Sequence, residues 1–552
     1  MTSLVPREPY SKEELHKLYP DGLQLQLVQV FLRHGERTPV SSRFQNLHVN
    51  VSHSIHIPVL HKSTDAQPTP PVWPYCNAAR KMTQIAASKE DLSSWDSFQW
   101  RRRMERFGEN DQALMAVGPE GEAEGIWQSG RLYLEKISLP GELTDEGRES
   151  TYALGRRLRH LYVDQLGFMP KIRSNTDDMY LRTTPIPRAL ESLQQTFWGM
   201  YPPDARTANF PLPTIVARSP ADETLYPNES NCHRFRQLAR LFAQKAANKW
   251  NETEDMEYLN SLWSKWMPSN SPRVAVDSSP RLSGIMDTIN STLGHGPGTR
   301  LPAEFYDSKA RELGEKIVTD EWFAGYNESN EYRKLGIGAL MGDIVDRMVH
   351  ASVDGGWRPT TNGTGNGNGI VKFALSGCHD TTIAAILTSL GTFDGGKWPP
   401  YTSSIAVELF KATAQPHGPR PGDILEELNV PDLENSASKA KQTGLMSKFF
   451  GGESSPAPSF PQPSKIARSA TSDLPTSPLQ KYYVRVRYNE QPMRIPGCAA
   501  KPSNHLPGND TFCTLEAFKK IADKFTPRNW HQECGNNLGG GMYVEGNDPA
   551  GY

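Results

Sequence analysis

Leu25-Gln-Leu-Val-Gln-Val-Phe-Leu-Arg-His-Gly-Glu-Arg-Thr-Pro39 is the stretch that most restricts what this chain becomes. Leu23, Leu25 and Leu27 alternate with Gln24 and Gln26, and Val30 to Leu32 then turns fully apolar, the pattern of a strand running into a core. The run breaks at Arg33-His34-Gly35-Glu36-Arg37-Thr38-Pro39. Gly35 permits a tight turn, and Pro39 bars the strand from continuing. Two guanidiniums therefore flank one imidazole where a buried strand ends. Arginine presents a planar fork of donors matched to phosphate oxygens, and histidine serves as nucleophile or base. The five fixed positions of Arg-His-Gly-x-Arg-x-Pro arise by chance in roughly one chain of this size in 10⁴. A surface or core histidine with no function is the weaker reading.

A second strand–loop–helix unit lies far downstream. Ile370 to Leu375 reads as a buried strand, broken by Ser376-Gly377-Cys378-His379-Asp380-Thr381-Thr382. A helix starts at once, with Ile383, Ile386, Leu387 and Leu390 on its apolar side and Gly391 as its stop. His379 and Asp380 thus sit where open α/β sheets hold ligands and where a helix N-terminus favours anions. Between the two units, Thr144 caps a helix that carries Asp145 and Glu146 in its first turn and Gly147, Thr151, Leu154, Leu158 and Leu161 at helical spacing. Met179-Tyr180-Leu181 is a short strand leading into Arg182-Thr183-Thr184, with a helix from about Pro187 to Trp198. Tyr482 to Tyr488 alternates with period 2 and is expected to pair with Ile405 to Phe410. A last helix covers Leu515 to Phe525.

The remainder is less patterned. A net charge of −2 gives no reason to expect nucleic acid as a partner, and a hydrophobic content of 37% is low enough that part of the chain is expected not to pack. No apolar run approaches the ~18 residues of a transmembrane helix. The first ten residues lack an apolar h-region, so the expected location is intracellular, cytoplasmic or mitochondrial, without a classical secretory signal. On that view the six cysteines are read as thiols rather than bridges, with Cys498, Cys513 and Cys534 clustered near the end. His48, His53, His56 and His61 fit no zinc spacing, and Pro68 to Pro74 reads as extended chain. Arg101-Arg102-Arg103 is read as a solvated helix face. Helical stretches at Cys232 to Lys249 and Ala310 to Val318 suggest a helical region over 201–367, ending in a Gly/Asn linker at 360–369. Residues 411–478, rich in Pro, Ser, Lys and Gln, are expected to be disordered. The island Leu445 to Phe450 within them leaves a membrane-surface contact open.

The Arg33-to-Pro39 string and the His379-Asp380 pair resemble the signature of the histidine phosphatase superfamily, in its acid phosphatase branch. The resemblance implies an α/β fold: a phosphoglycerate-mutase-like core with a central mixed, mostly parallel sheet flanked by helices, plus a mainly helical cap. The core would comprise residues 22–48, 140–200, 370–410 and 479–552, with 49–139 as an insertion or part of the cap, 201–367 as the helical cap and 411–478 as a disordered insertion. Leu143-Thr144-x-x-Gly147 and Arg182-Thr183-Thr184 are similar to further family elements, as is the acidic-then-Pro-Asn string Ala221 to Asn228. By resemblance His34 is the nucleophile, Asp380 the general acid, and Arg33, Arg37, Arg182 and His379 bind the phosphoryl group. No cofactor or metal is expected, because the arginines neutralise charge. The implied partner is a small phosphomonoester, lysophosphatidic acid among the candidates, hydrolysed through a phosphohistidine with an acidic optimum. A phytase-like inositol phosphate phosphatase, a mutase or a phosphate-ligand binding protein are the alternatives. Glu36, longer than the residue often found there in phytases, is expected to repel very anionic substrates.

Overall fold

β1 (Leu23–Arg33) owes its central position to the alternation of its own side chains. Its first residues are partly exposed and its last seven are buried. Val28, Val30 and Leu32 point into one apolar cluster, and Leu27 and Phe31 into another on the opposite face. Gln29, fully buried between them, is satisfied by the Ile344 carbonyl at 3.0 Å and by Arg347 at 3.3 Å. The computed structural model describes residues 8–41, 43, 99–108, 111, 113–115, 122–126, 141–293, 301–353, 355–359, 369–393, 395, 397–413, 479–543 and 549–552. The expectations for His48 to His61, Pro68 to Pro74, Cys76, the linker over 360–368 and the segment 414–478 with its Leu445–Phe450 island lie outside the described residues.

The remaining strands are β2 (Gln99–Phe107), β3 (Ala113–Met115), β4 (Glu122–Ile126), β5 (Met179–Thr183), β6 (Thr214–Arg218), β7 (Phe373–Cys378), β8 (Ser404–Ala412), β9 (Tyr482–Tyr488), β10 (Gln491–Pro492), β11 (His505–Leu506) and β12 (Asn509–Thr514). They join β1 in one mixed sheet, ordered β11-β12-β9-β8-β1-β7-β5-β6-β2-β3, with β10 against β9 and β4 against β2. The central run β1, β7, β5, β6 and β2 is parallel, and antiparallel strands extend it on both sides. The parallel expectation therefore describes the centre, where helical crossovers bury both faces; the flanks are hairpin-like and antiparallel. β9 pairs with β8 as its alternation suggests, from Ile405↔Tyr488 to Lys411↔Tyr482.

Helices Asp145–Arg159 and Pro187–Met200 cover one face through Leu154, Leu158, Leu193 and Phe197. Helices Ala339–Val353, Asp380–Ser389 and Leu515–Asp523 cover the other. A separate cluster built on Trp263, Ile285, Ile289 and Ile317 holds a helical region together away from the sheet.

Three readings change. The segment 49–139 is not only an insertion, since its β2 pairs in parallel with β6, itself a sheet strand inside the presumed helical cap. Arg101-Arg102-Arg103 lies in β2, not on a helix; near the sheet margin a strand keeps solvated side chains and loses the apolar run that marks central strands. Cysteines are bridged: Cys232–Cys534 across 302 residues and Cys498–Cys513 across 15, while Cys378 is a buried thiol. Spacing cannot reveal a pair that only the folded chain brings together.

Candidate active site

The parallel pairing of β1 and β7 sets Arg33 opposite Cys378, so the two loops leave the sheet side by side at its carboxyl edge. The His34 N–H donates to the Cys378 carbonyl at 3.1 Å. Gly35 is needed here for closeness rather than for a left-handed turn. A Cβ on it would lie 2.3 Å from the Gly147 carbonyl, and one on Gly147 would lie 2.2 Å from the Glu36 carbonyl. The Leu-Thr-x-x-Gly element therefore seats the helix Asp145–Arg159 directly against the loop, with Thr144 donating its hydroxyl to the Glu36 carbonyl at 3.0 Å.

His34 and His379 stand edge to face with ring centroids 5.5 Å apart. His34 Nδ1 is 2.9 Å from the Gly35 carbonyl. A carbonyl only accepts, so Nδ1 carries the proton and Nε2 keeps a free lone pair. Burial, followed by the charges of Arg188, Arg33 and Arg37, holds His34 well below the ordinary histidine range. His379 is pushed down to about 3 by burial and Arg188, against the opposing pull of Asp380. Its Nε2 shares a 3.1 Å hydrogen bond with the Thr184 hydroxyl.

Asp380 opens the helix Asp380–Ser389 and is bound by Arg33 Nη2 at 2.7 Å and by the Trp398 indole N–H at 3.0 Å. Burial favours its neutral form, but Arg33 and Arg37 outweigh that and hold the carboxyl at about 2. Arg33 also donates to the Pro399 carbonyl and stacks 4.1 Å above the Tyr401 ring. Arg37 is gripped by Asp287, 2.8 Å away, which in turn binds Arg43 at 2.7 Å.

A cavity of about 260 Å³ gathers His34, Arg37, His379 and Asp380 at one end. Arg33 is not among its lining residues and meets them through its 2.7 Å pair with Asp380. Arg182 departs from the expectation. It is fully buried in β5, bound to Glu223 at 2.9 Å and Thr224 at 3.0 Å, with Asp343 3.6 Å away. Arg218 completes that internal cluster by bonding Glu105 at 2.7 Å and Asp343 at 2.8 Å. With its charge already compensated by carboxylates, Arg182 is a structural cation and does not reach the cavity.

Arg188, six residues on, does reach it. Its Nε has no hydrogen-bond partner among the described residues, and Nη1 makes only a 3.4 Å contact with the Gly141 carbonyl. Burial and Arg37 lower it to about 10. Sequence reasoning passed over Arg188, Asp287, Trp398 and Tyr401. A signal for Arg188 exists: it stands in the first turn of the helix Pro187–Met200, where the dipole disfavours a cation. Glu36 also departs from expectation. Its side chain is buried, raised by burial, and accepts the Ser150 hydroxyl at 2.6 Å, so it neither lines the cavity nor repels a ligand there.

The lining is otherwise largely aromatic: Tyr226, which stands edge-on to His379 with centroids 6.0 Å apart, and Phe235, Trp322, Phe323, Tyr326 and Tyr332. The cavity thus joins an arginine-rich end carrying two neutral imidazoles to aromatic side chains and Glu229. Among the described residues no helix is long and apolar enough to cross a membrane.

Residues 24–420 match the family model described as "Histidine phosphatase superfamily (branch 2)". The chain is 34% identical over 521 residues to a "Probable acid phosphatase" of Schizosaccharomyces pombe, covering 94% of this chain and 95% of that protein. It is 26% identical over 301 residues to "Lysophosphatidic acid phosphatase type 6" of Homo sapiens, covering 54% of this chain and 63% of that protein. Among solved structures, "Hafnia Alvei phytase apo form" aligns over 93% of this chain and 99% of that chain, at 13% identity and a TM-score of 0.48.

Proposed function

The chain belongs to the histidine phosphatase superfamily, branch 2, as an acid phosphatase, and from that premise we propose that it hydrolyses small phosphomonoesters through a phosphohistidine on His34. The observation that carries the reading is the free lone pair of His34 Nε2, set by the Nδ1 bond to Gly35, in a cavity shared with Arg37, Arg188, His379 and Asp380. His34 Nε2 attacks phosphorus in line with the leaving oxygen; the P–N bond forms as the P–O ester bond breaks. Arg37, Arg188 and His379 hold the equatorial oxygens, and no metal is required because guanidiniums neutralise the charge. Asp380 gives its proton to the departing alkoxide, then takes one from the water that cleaves the P–N bond, regenerating His34.

That sequence requires Asp380 to be protonated when substrate is bound, although Arg33 keeps it ionised in the free protein. An incoming phosphate brings negative charge beside the carboxylate, which raises the carboxyl. Acidic solution supplies the rest, which accounts for an acidic optimum. The aromatic side chains of the cavity suit a monoester with an organic leaving group, lysophosphatidate among the candidates. Two cystines favour an oxidising compartment over the cytoplasm or mitochondrion. The test is phosphate release from p-nitrophenyl phosphate between about pH 4 and 8 with chelator present, beside His34→Ala. Turnover that resists chelator and vanishes in the variant supports the reading, and turnover that survives His34→Ala refutes it.

A further inference from the structure

Glu229, Trp322 and Tyr332 line both the reaction cavity and a second cavity of about 370 Å³, and so form the seam between them. The Glu229 carboxylate makes no hydrogen bond or close ion pair among the described residues; only its backbone carbonyl is used, by Arg236 at 2.9 Å. Glu229 is partly buried at this seam; burial raises its carboxyl, against the weaker pull of Arg236, Arg281 and Arg240. Beside it, Glu321 is only 6% exposed. One of its oxygens is held by Arg281, while Oε2 has no hydrogen-bond partner among the described residues. Trp322 is 38% exposed, leaving an indole open next to these acids. Charged side chains lining the second cavity are three carboxylates (Glu229, Asp277, Glu321) against two guanidiniums (Arg240, Arg281).

The polarity therefore reverses along the path a substrate would occupy, cationic where the phosphate binds and acidic with aromatic faces where the leaving group emerges. An aromatic face beside a carboxylate is the environment that attracts an ammonium ion, and it opposes a second phosphate. We propose that Glu229, Trp322 and Tyr332 form a subsite for a cationic group on the leaving alcohol, so that favoured substrates are phosphomonoesters of amino alcohols. This rests on the phosphomonoesterase reading and narrows its substrate class.

The test compares two phosphomonoesters of one shape in the full chain at pH 7: choline phosphate, and 3,3-dimethylbutyl phosphate, in which carbon replaces the charged nitrogen. The readout is the ratio of their kcat/KM values within each enzyme, which is insensitive to the amount of folded protein. The expected ratio is about tenfold in favour of the cation, falling toward one in Glu229→Gln and part of the way in Trp322→Leu. A ratio of one or below in the unmodified enzyme, or a ratio unchanged in both variants, overturns the proposal. Hydrolysis of p-nitrophenyl phosphate with neither alkyl ester cleaved also overturns it while sparing the phosphatase reading. No hydrolysis of any of the three removes both.

Discussion

Replacing Arg188 and Arg182 in turn by methionine separates the two arginines that six residues of chain make easy to confuse. Arg188 enters the cavity with an unpartnered Nε and a marginal contact to Gly141, and it is lowered by burial and by Arg37. Its positive charge is poorly compensated in the free protein and gains its partner only when a phosphoryl group arrives. Losing one such preorganised donor removes about 3–4 kcal/mol of transition-state stabilisation, or roughly 10²–10³ in kcat/KM. Folding stability should change little. Arg188 is also the largest charge holding His34 down, so its removal should raise the imidazole and move the acid limb of the pH–rate profile upward. Arg182→Met is expected to do the reverse. It leaves Glu223 fully buried without its 2.9 Å partner and disturbs the balance with Glu105 and Asp343. Breaking a buried pair from one side costs about 3–5 kcal/mol, so thermal unfolding should shift down sharply. Activity per folded molecule should survive better than in Arg188→Met. The assays are urea or thermal unfolding beside kcat/KM and its pH profile on p-nitrophenyl phosphate. A stable, inactive Arg182→Met with an active Arg188→Met would falsify this assignment.

Three further outcomes follow from the same geometry. Asp380→Asn should lower kcat/KM, which reports the step that expels the leaving group, by about 10²–10⁴ on alkyl phosphates and far less on p-nitrophenyl phosphate, whose leaving group needs no proton; equal losses in kcat/KM on both would remove Asp380 from the general-acid role. As pH rises through the Asp380 pKa of the substrate complex, kcat should fall in the unmodified enzyme, and this dependence should disappear in the variant. Gly147→Ala places a methyl 2.2 Å from the Glu36 carbonyl and should destabilise by about 1–3 kcal/mol while displacing the His34 loop, read by unfolding and kcat together. Thiol titration of unfolded, unreduced protein should find Cys378 reactive and Cys232, Cys498, Cys513 and Cys534 unreactive until reductant is added, because those four are bridged.

What could be read from the chain was what is local in it. The Arg33-to-Pro39 and His379-Asp380 loops carry their chemistry and their strand-end position within a few residues, and the fold sets them side by side through the β1·β7 pairing. Arg182 and Arg188 share one strand–helix connection, and nothing local says which guanidinium faces carboxylates and which faces a cavity. That choice is made by Glu105, Glu223 and Asp343, which are distant in sequence. The same limit hid Asp287 behind Arg37 and the pairing of Cys232 with Cys534. Glu36 illustrates the converse: its loop was legible, but its rotation toward Ser150 depends on packing against another helix. β2 escaped notice because a strand near a sheet margin keeps its charges and shows no apolar run.

Covalent catalysis by His34 is most directly tested by rapid quench of the turning-over enzyme into alkali, followed by peptide mapping, since phosphohistidine survives base. The account predicts a burst of protein-bound phosphoryl label on the peptide containing His34, absent in His34→Ala and accumulating when water attack is slowed in Asp380→Asn. Steady turnover with no bound label, or with label on another residue, would contradict it.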